Sequence, residues 1–251
     1  MKITFLGTGT SNGVPVIGCE CSVCTSSNPK DKRFRSSVLV EIKNKRILID
    51  VSPDFRQQMM PLDFHKIDGV LVTHEHYDHV GGIDDLRSFG RFGKIDIYAE
   101  SNVVDALRHR IPYCFTTHKY AGVPNLELLE IDTNPFYIED VKIVPIRVFH
   151  HKLPILGFRI DNFAYLTDVK TVPETELDKL KDLDVLVVSS LRINEHISHQ
   201  NLEQAIELIH KIKPKKAFLT HLSHQMGLHD IVEQELEESI SIAYDNMTLT
   251  I

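Results

Sequence analysis

Thr73-His74-Glu75-His76-Tyr77-Asp78-His79 brings three imidazoles and the Asp78 carboxylate together within six residues. The preceding run, Asp68-Gly69-Val70-Leu71-Val72-Thr73, is short and apolar and reads as a buried strand over 68–73. The motif therefore sits at a strand's carboxyl end. In extended chain His74 and His76, two apart, share one side. Asp78 and His79 follow where the chain turns toward a helix, so they face a second point nearby. Gly81 and Gly82 then permit close backbone packing. This spacing suits two adjacent ions rather than one. It does not fit the zinc-protease helix H-E-x-x-H, because His74 and His79 are five apart. Burying four such donors unpaired would be expensive, which argues against a purely structural role.

Upstream of the motif, strands are expected over 2–6, 37–42 and 46–51, with Asn44-Lys45 as the turn between the last two. A short helix over 54–60 follows Pro53. Downstream come a strand over 95–99 and a helix over 102–109. The second half repeats the theme with strands over 126–131, 141–149, 156–160 and 163–167. Pro173 opens a helix to about residue 180, and a buried strand over 184–190 follows. An amphipathic helix over 201–212, a strand over 216–220, a helix over 230–239 and a strand over 247–251 complete the chain. Strands in runs with helices between them suit two packed sheets covered by helices. The expected fold is α/β, a four-layer αββα sandwich rather than one doubly wound sheet. No linker, repeat or low-complexity tract divides residues 1–251, so one domain is expected. The only long irregular stretch, 113–124, reads as a surface loop or lid.

The chain has 251 residues, 42% hydrophobic and 25% charged, which is ordinary globular composition. No run approaches the roughly 18 apolar residues of a membrane span. The N-terminal stretch lacks the apolar core of a secretory signal, so a cytoplasmic protein without membrane association is expected. A net charge of −7 with scattered basic residues disfavours nucleic acid as a partner. Small anionic substrates remain open, because bound cations reverse the local field.

The T-H-x-H-x-D-H pattern with Gly81-Gly82 behind it resembles the signature of the metallo-β-lactamase superfamily. Leu6-Gly7-Thr8-Gly9-Thr10 resembles that family's early glycine-rich strand end. Asp50 resembles its strand-terminal aspartate, which supports the metal ligands from behind. His150, Asp168 in Leu166-Thr167-Asp168, and His221 in Leu219-Thr220-His221 match the downstream ligands in order. The resemblance implies that His74, His76 and His150 hold one ion and Asp78, His79 and His221 a second, with Asp168 bridging. Asp78 then counts among the catalytic residues as well as the ligands. Neighbours on a strand point to opposite faces, so only one of His150 and His151 would bind. The residues leave that choice open, and the resemblance favours His150. Such a ligand set suits zinc, manganese or iron. Two catalytic divalent ions, zinc or manganese, are the expected cofactors. Ions about 3.5–4 Å apart can share a water and lower its pKa toward about 7, generating a nucleophilic hydroxide.

Cys19, Cys21 and Cys24 fall within six positions, and thiols so clustered in a chain without an export signal favour metal over disulfides. Three thiolates are one ligand short of a tetrahedral site. Cys114 stands alone among bulky residues. The G-C-x-C-x-x-C segment resembles one branch of the superfamily, the PhnP-type cyclic phosphodiesterases, as does Thr220-His221-Leu222-Ser223-His224-Gln225. The resemblance implies one structural zinc on Cys19, Cys21, Cys24 and His224. It also implies that His199, ahead of the helix over 201–212, acts on the leaving group; His196 lies close by. Val169-Lys170 after the bridging aspartate departs from the branch.

The expected function is a dinuclear-metal hydrolase, a phosphodiesterase acting on a small cyclic phosphate or nucleotide-like diester. A tRNase Z-type endonuclease is the nearest enzymatic rival, but no projecting basic arm is evident. A branch of pyrroloquinoline quinone synthesis shares a similar cysteine loop. A non-catalytic metal-binding protein on the same fold would be favoured by a missing ligand, and all seven positions are filled. A homodimer would be common in the superfamily, although no exposed apolar face can be read from the sequence.

Overall fold

The computed structural model describes residues 1–116 and 122–251. Its first half runs β1 (Lys2–Gly7), α1 (Ser22–Thr25), β2 (Ser37–Ile42), β3 (Lys45–Ile49) and α2 (Phe55–Met59). It continues through β4 (Gly69–Leu71), α3 (Tyr77–Val80), β5 (Ile95–Ala99), α4 (Ser101–Arg110) and β6 (Leu126–Glu130). The second half contains β7 (Phe136–Ile138), β8 (Val141–His150), β9 (Leu153–Ile160), β10 (Phe163–Leu166) and β11 (Val185–Ser189). It ends with α5 (Leu202–Ile212), β12 (Lys216–Thr220), α6 (His229–Glu235), β13 (Ile240–Ile242) and β14 (Thr248–Thr250).

Among the described residues the strands form two seven-stranded sheets, ordered β14-β1-β2-β3-β4-β5-β6 and β13-β12-β11-β10-β9-β8-β7. Period-two alternation divides each sheet's side chains between two cores. On β2, Val38 and Val40 face the seam between the sheets, while Leu39 faces outward. At the seam Phe5, Val40 and Ile49 meet Ile143, Phe158 and Val187 of the other sheet. Outside the first sheet, Leu48, Val70 and Ile97 pack with Val103, Val104 and Leu107 of α4. Outside the second, Leu186, Val188 and Leu219 pack with Ala205 and Leu208 of α5 and Val232 of α6. Three apolar layers between four layers of structure make the αββα sandwich.

Within each sheet, β3 through β6 and β10 through β13 are parallel, so their carboxyl ends share an edge. The Thr73 carbonyl accepts from the Leu156 amide at 3.1 Å, and Arg147 on β8 pairs with Glu100 after β5 at 2.7 Å. These bonds join the two sheets near that edge. The early glycine loop is fixed from below. Arg33, buried, donates to Thr8 Oγ1 at 2.8 Å and to the Ala243 carbonyl at 2.6 Å, while Asp245 accepts from the Thr8 amide at 2.9 Å.

Several elements differ from the sequence expectation. The helix over 230–239 ends at Glu235, and Ile240–Ile242 becomes an edge strand. Ile240 and Ile242, just beyond the expected helix, are buried beside β12, where the sequence reading placed no strand. The segment Glu174–Leu180 forms 3₁₀ turns rather than an α-helix, and Ile83–Phe92 adds a 3₁₀ stretch. Of the irregular stretch 113–124, Tyr113 and Cys114 belong to a 3₁₀ turn, Pro112–Cys114; 117–121 lie outside the described residues. No helix among the described residues is long and apolar enough to cross a membrane.

Gly82 is where the motif's helix meets the first sheet. Its amide donates to the Val51 carbonyl at 2.9 Å, and a Cβ there would lie 2.1 Å from the Ser52 carbonyl oxygen. Gly82→Ala is therefore expected to lower unfolding stability by about 1–3 kcal/mol. A urea midpoint equal to that of the parent would contradict this close approach.

Candidate metal centre

The motif leaves β4 in extended backbone and enters α3 at His76, whose φ of −62° and ψ of 146° make it the residue ahead of the helix. Asp78, His79 and Val80 are turned inward by that short helix, whereas His76 stays at the exposed mouth. Three further residues arrive from strand ends. Asp50 follows β3, Asp168 lies two residues beyond β10, and His221 follows β12. All three adopt the left-handed region, with φ of 62°, 52° and 57°. Non-glycine residues there cost about 1–2 kcal/mol each. That strain turns each side chain back across the end of its sheet.

Asp168 occupies the centre and is buried. Its Oδ2 lies 2.6 Å from His79 Nε2 and 3.6 Å from His74 Nε2. Its Oδ1 lies 3.1 Å from both His221 Nε2 and His199 Nδ1. Asp78 Oδ2 stands 3.1 Å from His79 Nε2 and 3.5 Å from His221 Nε2. On the other side, His74 Nε2 and His76 Nδ1 are 3.0 Å apart, and the His150 ring centroid lies 5.2 Å from that of His76. Burial of His79 Nε2, His221 Nε2, His199 Nδ1 and Asp168 Oδ2 leaves them without a hydrogen bond of acceptable geometry among the described residues. Short separations without hydrogen-bond directionality mean that the donors converge on common points instead of pairing. Buried polar atoms left so are rare unless a missing ion satisfies them. The donor set therefore fits cations.

Electrostatics agree. Burial pushes the Asp168 and Asp78 carboxyls up, but His221 and His79 around Asp168, and His79 and His221 around Asp78, hold both below the usual carboxylate range. Burial opposes a charge on His79, yet Asp78, Asp168 and Asp50 raise it well above an ordinary imidazole. Burial and the neighbouring His79 depress His74. Imidazole must be neutral to coordinate, so cation binding at these residues would be coupled to proton release.

The surrounding contacts orient the donors. Asp50 Oδ2 sits 2.7 Å from His79 Nδ1, and Asp50 accepts from the Thr73 amide at 2.8 Å and the Thr73 hydroxyl at 2.9 Å. This fixes the His79 ring with Nε2 toward Asp168. His150 Nδ1 donates to the Ser198 carbonyl at 2.9 Å. His151 takes φ 55° at the following turn and is exposed, so the ring brought to the cluster is that of His150. His199 lies between rings, 4.5 Å from His150 and 5.2 Å from His221 by centroids. Sequence reasoning missed Thr73 as a partner of Asp50 and Lys170 as a partner of the 196–199 segment. The tight T-H-x-H context marked Thr73, but Lys170 reaches acceptors 26 to 34 positions away, and no local pattern reveals that.

A second cluster lies beside the first. Cys19, Cys21 and Cys24 place their sulfurs 3.2, 3.3 and 3.5 Å from His224 Nδ1. One ring nitrogen cannot satisfy three thiols, so these four atoms also converge on one point. The Cys24 amide and His224 lower the Cys21 thiol to about 6, while burial pushes Cys24 up to about 11. The Cys24 sulfur accepts from the Val16 amide at 3.4 Å. Cys114 is remote from this group and contacts Asp84 instead. The strand end that presents His221 also presents His224 three residues later, and Leu222 between them exchanges backbone bonds with Thr8 and Thr10 at 2.9 and 3.1 Å.

Comparison with known proteins places this architecture. The sequence profile of the beta-lactamase superfamily domain matches residues 45–222. An octanoyltransferase of Porphyromonas gingivalis is 44% identical over 250 residues, 98% of this chain but 51% of that protein. The chain thus spans about half the length of that relative. The crystal structure of a new diphosphatase from the PhnP family is similar over 100% of this chain and 97% of its own, at 35% identity and a TM-score of 0.93. Zinc-bound PqqB from Methylobacterium extorquens covers 100% of both chains at 19% identity and a TM-score of 0.82, a likeness of fold. With its sandwich, its matched profile and its converging histidines and aspartates, the chain belongs to the beta-lactamase superfamily.

Proposed function

We propose that this chain hydrolyses small phosphodiesters or disubstituted diphosphates at a centre for two divalent cations. The observation that carries this reading is that Asp168 stands between the two donor sets, within 3.6 Å of His74 from one and of His79 and His221 from the other. In this reading His74, His76 and His150 serve one cation, Asp78, His79 and His221 the other, and Asp168 both. Zinc or manganese suits these ligands. When bound, such cations supply Lewis acidity, lowering the pKa of water toward about 7 and neutralising phosphoryl oxygens. Each phosphorus of a disubstituted diphosphate resembles a diester, so the PhnP-family diphosphatase similarity and the cyclic-diester expectation describe related chemistry.

The chain's own residues do the remainder. Asp50 and Thr73 hold the His79 ring in place, and Ser198 holds that of His150. His199 supplies the proton that a departing alkoxide needs, from a position beside Asp168. Burial pushes the His199 ring below an ordinary histidine, against the opposing pull of Asp168. Cys19, Cys21, Cys24 and His224 form a structural zinc site in this proposal, tying the N-terminal loop to the strand end that carries His221.

Elemental analysis of the purified chain should find about three metals per chain. Bis-p-nitrophenyl phosphate turnover should stop with chelator and return with added zinc or manganese. One metal per chain with no turnover would favour a non-catalytic protein. Asp50→Ala should weaken catalytic-metal retention about 10–100-fold in competition with a chelator. Retention matching the parent would remove Asp50 from the support of His79. His199→Ala should slow phenolate-leaving diesters more than p-nitrophenolate ones without changing metal content. Loss of one equivalent of metal would instead make His199 a ligand.

A further inference from the structure

We infer that Lys170 is a positioning residue, whose ammonium group holds the 196–199 segment so that His199 stands beside Asp168. The Lys170 Nζ donates to the His196 carbonyl at 2.8 Å, the His199 carbonyl at 3.3 Å and Gln204 Oε1 at 3.0 Å. Three acceptors match the three donors of an ammonium group. A solvated surface lysine would not collect two backbone carbonyls and a side-chain amide from one segment.

The lysine's own placement is equally constrained. Its amide donates to the Phe149 carbonyl at 2.7 Å, and Phe149 donates to the Thr171 carbonyl at 2.9 Å, next to His150. The preceding residue, Val169, donates to Ser189 Oγ at 2.9 Å and accepts from the Gln200 amide at 2.8 Å. The turn from Asp168 to Thr171 therefore grips β8 with one side and the 196–204 segment with the other. His150, Asp168 and His199 come from three distant parts of the chain, and this one turn registers them. Gln204 links the clamp to α5, because it also closes the capping box with Asn201. Lys170 touches no reacting atom in this arrangement. It acts through the backbone of His199.

A point charge on a flexible stem can serve carbonyls arriving from several directions, whereas a neutral side chain of similar length cannot. Lys170→Met would leave two carbonyls and an amide oxygen without their shared donor. The segment would then relax, and the imidazole would lose its register with Asp168. Because a proton donor is sensitive to misplacement of about 1 Å, turnover should suffer before binding does.

The inference rests on the reading of His199 as the proton donor to the leaving group. The test uses the full chain, metal-loaded, as the parent, Lys170→Met, Lys170→Gln, Lys170→Arg and His199→Ala. Substrates are methyl aryl phosphodiesters, from a p-nitrophenolate to a phenolate leaving group. Lys170→Met and Lys170→Gln should lower kcat about tenfold more for the phenolate than for p-nitrophenolate, in the direction of His199→Ala. KM and metal content should hold, and Lys170→Arg should recover most of the loss. Amide hydrogen exchange over 194–201 should be faster in Lys170→Met than in the parent at the same melting temperature. Equal slowing of both leaving groups by Lys170→Met, beside a leaving-group-dependent His199→Ala, would overturn the role of Lys170 and spare that of His199. Uniform slowing by His199→Ala would sink the proton-donor reading. The exchange data would then decide alone whether Lys170 holds the segment, and unchanged exchange would end the proposal.

Discussion

One buried carboxylate, Asp168, sets the terms for the whole carboxyl-terminal edge of the sandwich. Four imidazoles approach its two oxygens, the nearest at 2.6 Å. An isolated carboxylate in such a place would carry a desolvation penalty of several kcal/mol. Positive charge offsets it, and the surrounding His221 and His79 hold the carboxyl below the usual carboxylate range. Everything around Asp168 serves that compensation. Three strand ends turn through left-handed backbone to bring Asp50, Asp168 and His221 inward, accepting local strain for electrostatic convergence.

The sandwich makes this convergence possible because its two sheets align their parallel strands. Carboxyl ends of β3 and β4 meet those of β10 and β12 across the seam. Apolar burial on both faces of each sheet fixes the strands, and the few polar links across the seam fix their relative height. The Leu156 amide bond to Thr73 is one, and the Arg147–Glu100 pair another. A shift of either sheet would separate His74 from Asp168 and His79 from His221. The site is therefore a property of sheet packing as much as of its ligands.

The cysteine cluster and the Arg33–Asp245 network extend the same logic to the N-terminal loop. Burial pushes Asp245 up to about 6 and Arg33 down to about 10, against the attraction between them. Both hold Thr8, whose carbonyl accepts from Leu222 beside His221. On the other side of Leu222, His224 draws three cysteines to a point. His221 is thus braced through its neighbours by a buried ion network and by a thiol-rich cluster, each independent of the histidine motif.

Much of this was legible in the chain alone. The apolar run before Thr73 called for a buried strand, and strands in runs with helices between them called for two sheets. The motif at 73–79 read as a site for two adjacent ions, since its spacing does not fit the H-E-x-x-H helix and burying four unpaired donors would be expensive. The cysteine spacing likewise called for a fourth ligand, although the resemblance to a known branch, rather than the spacing, pointed to His224. The edge strand Ile240–Ile242 was hidden, because three residues carry too little periodicity to outweigh a helical neighbour. Tertiary structure decided what depends on long-range register: that His150 and not His151 faces the centre, that His199 stands between rings, and that Lys170 clamps its segment. Local spacing constrains residues that share one strand or one turn. It says nothing about which carbonyls, 26 or 29 positions on, will fall within reach of an ammonium group once two sheets have packed.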